Sequence, residues 1–311
     1  MKISLSVLIF AYSIIAISGC TQKDQIIQPS SPSGSTLTPP NKKDEQRSIV
    51  LISSPVTNIY KTTSTNSEKV TQALYGETVT IVEDDNNWAK VKLPQQYDYL
   101  GWVQKSQLMR VMVSNSVHYK IVSSAETAVY DRPSLTSNVA MLLPLGTTIL
   151  ANDRGSDQTF ISVTLINGNT GFVLASQVRD FRYEQANKVS SNEIISTAKQ
   201  LVGVPYLWGG MTNNGIDCSG FIHTVFKVNG IKLHRDADQQ YANDGVNVDI
   251  KQIRVGDLLF FSTYKPGASH EGIYVGDDKF IHASSSQGVG YSSLSDRIYQ
   301  KRLIGVKRVL N

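Results

Sequence analysis

The stretch GIDCSGF, residues 215–221, contains Cys218, one of only two cysteines in the 311-residue chain. Apolar residues recur at helical spacing from this point, which predicts a helix with one buried face: Phe221, Ile222, Val225 and Phe226. Cys218 would then lie at a helix N-terminus, where unpaired N–H groups and the helix dipole favour an anion. This position predicts a lowered thiol pKa and an oxyanion site beside a reacting carbonyl. Asp217 opposes the first effect, because an adjacent carboxylate disfavours a thiolate.

Two histidines follow on predicted strands, His270 in HEGIYVG and His282 in KFIHAS. A cysteine at a helix start, a histidine on a sheet and a polar residue that orients it form the papain arrangement of nucleophile, base and orienter. Regular pairing across a tight turn at residues 276–279 would place the two rings on opposite faces of the sheet. We therefore predict a β-bulge between Glu271 and Ser284, which would return both rings to one face.

Helix patterns come before strand patterns in residues 186–311, which predicts an α+β domain with an antiparallel sheet. The first helix is predicted within residues 192–202, with Ser191 or Asn192 as its N-cap and Gly203 after its end.

An internal repeat precedes this domain. With an offset of 70 residues, Tyr60 aligns with Tyr130, Gly101 with Gly171, and Ser106-Gln107 with Ser176-Gln177. Each copy consists of short strand patterns separated by turn signals, which predicts two small β-barrels. We place the copies at residues 48–112 and 113–185.

Residues 1–19 are predicted to be an export signal. Their apolar run from Ile3 to Ile17 is shorter than the ~20 residues that a membrane-spanning helix needs. Ile17-Ser18-Gly19-Cys20 resembles a bacterial lipobox, which implies that Cys20 is lipidated. Residues 20–47 would then form a flexible tether, since they are rich in Ser, Pro, Thr, Gln and Lys. Cys218 would be left without a disulfide partner, which indicates chemical use or burial as a small apolar residue.

Composition is that of an ordinary globular protein, with 18% charged and 41% hydrophobic residues. A net charge of +4 is too small and too dispersed to indicate nucleic-acid binding. The spacing of Cys218, His270 and His282 matches no usual zinc pattern, so we expect neither a metal nor an organic cofactor.

Five motifs in order, VGVPYLWGG, GIDCSGF, GDLLFF, SHEGIYVG and KFIHAS, resemble the NlpC family of papain-like cell-wall peptidases over residues 192–309. The resemblance implies that Cys218 is the nucleophile, His270 the general base and His282 the orienting residue. The repeated Gly-aromatic-Val followed by Ser-Gln resembles bacterial SH3-like domains. The expected architecture is therefore multidomain, with two small SH3-like β-barrels followed by an α+β papain-like domain.

With two SH3-like domains before such a peptidase domain, the whole chain resembles the γ-D-glutamyl-L-diamino acid endopeptidases. These enzymes cleave peptidoglycan stem peptides between D-Glu and the diamino acid. The resemblance implies that Asp217 faces the free ammonium of an N-terminal L-Ala and that Ser219 adds a hydrogen bond. It also implies the remaining substrate contacts: Tyr206, Trp208, Arg235 and Asp236, with Tyr99 and Glu77 from the first SH3-like domain. Ala237 stands where related sequences often carry serine, so one substrate hydrogen bond is expected to be missing.

The expected protein is thus an extracytoplasmic cysteine endopeptidase, lipid-anchored to a bacterial membrane, which acts on released muropeptides in cell-wall recycling. Three alternatives stay open at this point. The same fold is compatible with cleavage of intact cross-linked wall, with SH3-like domains as wall anchors, and with an amidase or acyltransferase. A different class is a non-catalytic wall-binding lipoprotein.

Overall fold

The computed structural model describes residues 47–113, 118–152, 159–183 and 188–310. The predicted signal, Cys20 and the tether to residue 46 lie outside the described residues. In the described ranges, no helix is long and apolar enough to cross a membrane.

The first module is a seven-stranded sheet in the order β3-β2-β6-β5-β4-β1-β7. Alternating small and branched apolar residues bury one face of β5, because Ala89, Val91 and Leu93 point into the module core. The strands are β1 (Arg47–Ile52), β2 (Val56–Tyr60), β3 (Lys69–Leu74), β4 (Thr78–Asp85), β5 (Trp88–Leu93), β6 (Tyr99–Gln104) and β7 (Leu108–Val113).

The second module repeats this strand order as β10-β9-β13-β12-β11-β8-β14. Its strands are β8 (Tyr119–Val122), β9 (Glu126–Tyr130), β10 (Val139–Pro144), β11 (Thr148–Ala151), β12 (Phe160–Thr164), β13 (Thr170–Leu174) and β14 (Val178–Asp180). The sequence repeat therefore corresponds to a structural repeat of one strand arrangement.

The repeated glycine marks a close approach that both modules share. A Cβ atom on Gly101 would lie 2.4 Å from Cγ2 of Ile59, and one on Gly171 would lie 2.5 Å from Cγ1 of Val129. The repeated glutamine also has one role in both copies, because Gln107 accepts a hydrogen bond from Thr57 as Gln177 does from Thr127.

The third module begins with α1 (Ser191–Lys199), whose N-cap is Ser190. Ser190 and Glu193 form a capping box, so the predicted cap at Ser191 or Asn192 was one or two residues late. The other helices are α2 (Cys218–Val228), α3 (Ala237–Asn243) and α4 (Arg297–Gln300).

Its main sheet has six strands in the order β17-β22-β18-β19-β20-β21, and a short hairpin lies before α2. The hairpin strands are β15 (Met211–Thr212) and β16 (Gly215–Ile216). The sheet strands are β17 (Val246–Val248), β18 (Leu258–Phe261), β19 (His270–Gly276), β20 (Lys279–Ser284), β21 (Gly288–Ser293) and β22 (Leu303–Arg308). Helices α1, α2 and α3 precede the antiparallel sheet, as the α+β expectation for this part of the chain requires, and the short α4 lies between β21 and β22.

Helix α2 is buried along its whole length, which fixes Cys218 in the middle of the molecule. One face packs on β19 and β20 of the sheet, and Phe221, Ile222, Val225 and Phe226 are fully buried there as the sequence predicts. The opposite side meets the first two modules, because Lys227 donates to Glu77, and Arg179 donates to the carbonyl of Val228.

Candidate active site

Cys218 is the first residue of α2, directly after the N-cap Asp217. The Asp217 carboxylate accepts a 2.7 Å hydrogen bond from the backbone N–H of Gly220, which ties down the first turn. Gly220 has no alternative here, because a Cβ atom would lie 2.3 Å from the carbonyl oxygen of Gly210. The motif GIDCSG thus holds the thiol on a rigid helix start.

Burial raises the pKa of the Cys218 thiol well above its ordinary value, and the Asp217 and Glu271 carboxylates raise it further. The Arg235 guanidinium and the Ser219 backbone N–H act in the opposite direction but do not outweigh these effects. The expectation of a lowered thiol pKa was therefore wrong for the free protein. The helix position is as predicted, but sequence pattern does not reveal how completely the sulfur is desolvated.

His270 and His282 are in direct contact. Nε2 of His270 lies 2.7 Å from Nδ1 of His282, and Nε2 of His282 lies 2.9 Å from Oγ of Ser292. Burial lowers the pKa of His270 to about 4, and burial followed by the neighbouring His270 lowers the pKa of His282 to about 3. Both rings are therefore neutral at pH 7, which matches a general base waiting for a proton.

The predicted bulge is present and lies at Val275. Tyr274 pairs with Phe280 and Gly276 pairs with Lys279, so Val275 has no partner on β20. Asp277 and Asp278, both with positive φ, form the two-residue turn. The extra residue shifts the register by one, which puts His270 and His282 on the same face of the sheet.

Gly272 gives the two rings their space. It lies on β19 two residues after His270, and a Cβ atom there would lie 2.6 Å from Cδ2 of Phe280 and 3.0 Å from Cβ of His282. Any larger residue would push the β20 side chains away from the histidine pair.

A pocket of about 280 Å³ opens beside Cys218, and a separate groove opens beside His270. Tyr206 and Tyr264 line both, so they form the common wall of one cleft with two ends. The pocket lining contains six of the residues expected to bind substrate: Asp217, Ser219, Tyr99, Tyr206, Trp208 and Asp236. The structure therefore brings most of the sequence-predicted residues together.

Arg235 does not reach the pocket surface. Its side chain is 1% exposed, and its guanidinium donates to Asp217 Oδ2 at 2.7 Å, Ser219 Oγ at 2.8 Å and Thr71 Oγ1 at 2.8 Å. The expectation of a direct substrate contact is corrected: Arg235 lies behind the pocket and fixes two residues that line it. Thr71 belongs to β3, so the first module contributes to this support.

Glu77 lies outside the pocket lining, which corrects its place among the substrate-binding residues. It is 2% exposed and forms a buried ion pair with Lys227 of α2, and its other oxygen accepts from the Leu74 N–H. The pattern YGETV has no signal for this role, because the partner lysine is distant in sequence.

Tyr99 and Asp236 form a polar contact across two modules. The Tyr99 hydroxyl donates to Asp236 Oδ2 at 3.0 Å, and burial raises the pKa of both groups. Asp236 is also the more open carboxylate, with 40% of its side chain exposed against 10% for Asp217.

Several lining residues were missed: Glu68, Val70, Asp238, Tyr264, Lys265 and Ala268. Glu68, from the first module, accepts a 3.0 Å hydrogen bond from Nε1 of Trp208. Of these two residues, only Trp208 lies in a motif that predicts a role in the site. Glu68 lies in a surface turn, and the sequence STNSEK is typical of an ordinary loop. Ala237, which departs from the resembled pattern, also lines the pocket.

A cysteine at the start of a buried helix and a histidine pair on the antiparallel sheet that packs on this helix are the elements of a papain-like cysteine peptidase. Sequence comparison narrows the class. The NlpC/P60 family model matches residues 203–308, and the model of the bacterial dipeptidyl-peptidase Sh3 domain matches residues 59–108.

Two relatives extend this match over most of the chain. A protein of Bacillus subtilis named gamma-D-glutamyl-L-lysine dipeptidyl-peptidase is 32% identical over 251 residues, which cover 76% of this chain and 80% of that protein. One of the same name from Bacillus cereus is 30% identical over 265 residues, or 79% and 77% of the two chains. The chain therefore belongs to the NlpC/P60 family of cysteine peptidases.

A solved structure shares the fold over most of the chain. The crystal structure of an NlpC/P60 family protein from Bacillus cereus matches with a TM-score of 0.73 at 23% identity, over 85% of this chain and 100% of that one. At this level of identity the match shows a common fold. The protein is accordingly multidomain, with an N-terminal SH3-like domain and an NlpC/P60 domain, and peptidoglycan hydrolysis is the function of its family.

Proposed function

We propose that this protein is a γ-D-glutamyl-L-diamino acid endopeptidase that acts on muropeptides with a free N-terminal L-Ala. The observation that carries the proposal is a pocket next to Cys218 that is rich in carboxylates and closed at one end by the first module. The names of the two Bacillus relatives support the choice of bond.

The charge of the pocket suits an ammonium group. Four carboxylates line it, from Glu68, Asp217, Asp236 and Asp238, against a single lysine, Lys265. Three of the four carboxylates already have a cation. Asp238 pairs with Lys265 and Glu68 pairs with Lys61, each at 3.0 Å, and Asp217 pairs with Arg235 at 2.7 Å. Asp236 is therefore the carboxylate most available to a ligand. We assign the substrate ammonium to Asp236 with Tyr99, and Asp217 and Ser219 line the pocket close by.

The first module closes the far end of this pocket. Val70 and Tyr99 stand in the lining, and Glu68 joins the module to Trp208. A peptide whose L-Ala nitrogen is bonded to muramic acid would lose the positive charge and would need space beyond this wall. Released peptides with a free amine are therefore the preferred substrate, and wall recycling is the preferred role over remodelling of intact wall.

We assign the catalytic roles to Cys218, His270 and His282. His270 with its proton on Nε2 donates to His282 Nδ1, which leaves Nδ1 of His270 free to accept the thiol proton. Cys218 then attacks the γ-D-Glu carbonyl, and first-turn N–H groups of α2, which have no intrahelical acceptor, stabilise the oxyanion. The protonated His270 gives its proton to the leaving amine, and water activated by His270 hydrolyses the thioester.

Substrate binding also offsets the electrostatic cost at the thiol. Asp217 raises the pKa of Cys218, and an ammonium bound near Asp217 neutralises part of that field. The free enzyme would thus keep a protonated, unreactive thiol, and the correct substrate would favour the thiolate.

The remaining parts of the architecture are included in the proposal. We assign residues 48–112 and 113–185 to two SH3-like β-barrels and residues 186–311 to the peptidase domain, supported by the repeated strand order. We also propose an exported lipoprotein with Cys20 as the lipidated residue. Family members that act on the cell wall, such as the relative named probable peptidoglycan endopeptidase LytE, support an extracytoplasmic location.

The test is the identity of the cleaved bond. Purified protein is incubated with L-Ala-γ-D-Glu-diamino acid and the products are identified by mass spectrometry, with Cys218→Ala as the control. The expected products are the L-Ala-γ-D-Glu dipeptide and the free diamino acid, both absent with Cys218→Ala. Cleavage at another bond, or equal turnover by the variant, would reject the proposal. Pelleting of the inactive variant with purified sacculi would favour a wall-binding role instead.

A further inference from the structure

The groove beside His270 differs in charge from the pocket beside Cys218. It has a volume of about 290 Å³, and its lining includes Arg302 and the hydroxyls of Ser284, Ser285 and Ser286, with no Asp or Glu. The two ends of the cleft are therefore opposite in character, one acidic and one basic with hydroxyl donors.

The guanidinium of Arg302 is available for a ligand. Arg302 is exposed, and within the described ranges its guanidinium forms no ion pair with a carboxylate. Asp296, which lies near on the same segment, instead caps α4 through the Ile298 N–H. The Arg302 backbone is fixed, because its carbonyl accepts from Ser262 and its N–H donates to Tyr299.

Tyr299 joins this groove to the histidines. It lines the groove with Arg302, and its ring lies 5.4 Å from the His282 ring and 6.3 Å from the His270 ring, measured between centroids. Arg302 also acts electrostatically on Tyr299 and opposes the effect of burial on its pKa. The basic end of the cleft is thus adjacent to the residue proposed to protonate the leaving amine.

The direction of the substrate follows from the proposed function, on which this inference rests. With the ammonium in the acidic pocket and the scissile carbonyl at Cys218, the residue that leaves must enter the groove beside His270. In addition to the amine released by cleavage, a diamino acid carries an α-carboxylate and, when it is a dicarboxylic diamino acid, a second carboxylate on its side chain.

We infer that Arg302 is a specificity-determining residue, which binds a carboxylate of the leaving diamino acid with the help of the Ser284–Ser286 hydroxyls. A guanidinium matches a carboxylate in geometry and donates two parallel hydrogen bonds. The carboxylate has two sources, the C-terminal α-carboxylate of a tripeptide or the side-chain carboxylate of a dicarboxylic residue such as diaminopimelate. Substrate ends without either would bind this groove poorly.

The experiment measures kcat/KM for four peptides of the form L-Ala-γ-D-Glu-X. X is lysine with a free carboxylate, lysine amide, diaminopimelate with both carboxylates free, or diaminopimelate with the α-carboxylate amidated. The enzymes are the wild type, Arg302→Gln, Arg302→Lys and the matched control Lys301→Gln, which removes a neighbouring exposed charge outside the groove.

For the peptides with a bound carboxylate, Arg302→Gln is expected to lower kcat/KM roughly tenfold, the effect of one charged hydrogen-bonding partner. Arg302→Lys should recover part of this loss, and Lys301→Gln should match the wild type. Lysine amide should be slow with the wild type and lose little more in Arg302→Gln. The diaminopimelate pair shows which carboxylate is recognised.

An equal effect of Arg302→Gln on all four peptides, or equal kcat/KM of the wild type for all four peptides, would overturn the inference. Failure of the wild-type enzyme to cleave any of the four would instead reject the proposed function, so the two failures are distinguishable.

Discussion

His270 and His282 share a 2.7 Å hydrogen bond although they lie on different strands and the regular pairing would separate them. The bulge at Val275 makes this contact. One unpaired residue in the hairpin therefore brings two histidines on different strands into contact.

Replacement of His282 tests that partnership. His282→Ala should lower kcat about 10²-fold or more with little change in KM, because His270 loses the group that fixes its tautomer and orientation. His282→Asn, which can still hydrogen-bond, should retain more activity. A stopped assay with the free tripeptide measures both constants, and an equal loss in the two variants would contradict the orienting role.

Gly272→Ala should lower kcat even when the measurement is corrected for the fraction of folded protein. The new methyl would be 2.6 Å from Phe280 and 3.0 Å from Cβ of His282, so the strand carrying His282 must move. Gly290→Ala is the matched control, since Gly290 pairs with His282 on β21 and its methyl would meet only the Gln287 side chain, at 3.3 Å. Equal kcat values for the two variants at matched folded fraction would argue against this account.

The buried carboxyl group of Glu271 should make the free energy of unfolding depend on pH. Neither carboxylate oxygen has a hydrogen-bond partner within the described part of the chain, and burial raises its pKa well above the ordinary value of 4.5. The folded state therefore holds its proton more tightly than the unfolded state. The contribution of this group is most favourable at low pH and is lost as pH rises above 4.5 towards the folded-state pKa.

Glu271→Gln should consequently match the wild type near pH 4.5 and become more stable than it by roughly 1–3 kcal/mol at neutral pH. Urea unfolding at several pH values measures this difference. A stability difference that stays constant across that range would show that ionisation of Glu271 is not its cause.

Loss of one charge from the buried ion pair of Glu77 and Lys227 should lower the stability of the fold and leave substrate binding unchanged. Glu77→Gln leaves a buried ammonium uncompensated and should destabilise the fold by about 3–5 kcal/mol. The double variant Glu77→Leu with Lys227→Met removes both charges and should recover much of that loss. Its KM should equal that of the wild type, and a KM raised tenfold in the double variant would return Glu77 to the substrate site.

Sequence predicted those parts of the site that depend on short-range patterns. The helix start at Cys218 and the bulge between the histidine strands follow from spacing and alternation, and both are present. Arg235 and Glu77 were wrongly predicted to contact substrate, because their partners are distant in sequence. Arg235 binds Asp217 and Thr71, and Glu77 binds Lys227. The pKa direction of Cys218 was wrong because desolvation depends on what packs around the thiol. Glu68 and Tyr264 reach the pocket from loops, where no periodic pattern marks a residue.

Recognition of a free amine by the acidic pocket can be tested with a paired digest. One sample contains free L-Ala-γ-D-Glu-diamino acid, and the other contains the same peptide attached to muramic acid through the L-Ala nitrogen. We expect cleavage of the free peptide alone, with kcat/KM lowered about tenfold or more in Asp217→Asn and Asp236→Asn. Equal cleavage of both peptides by the wild type would contradict amine recognition and would make intact wall the better substrate.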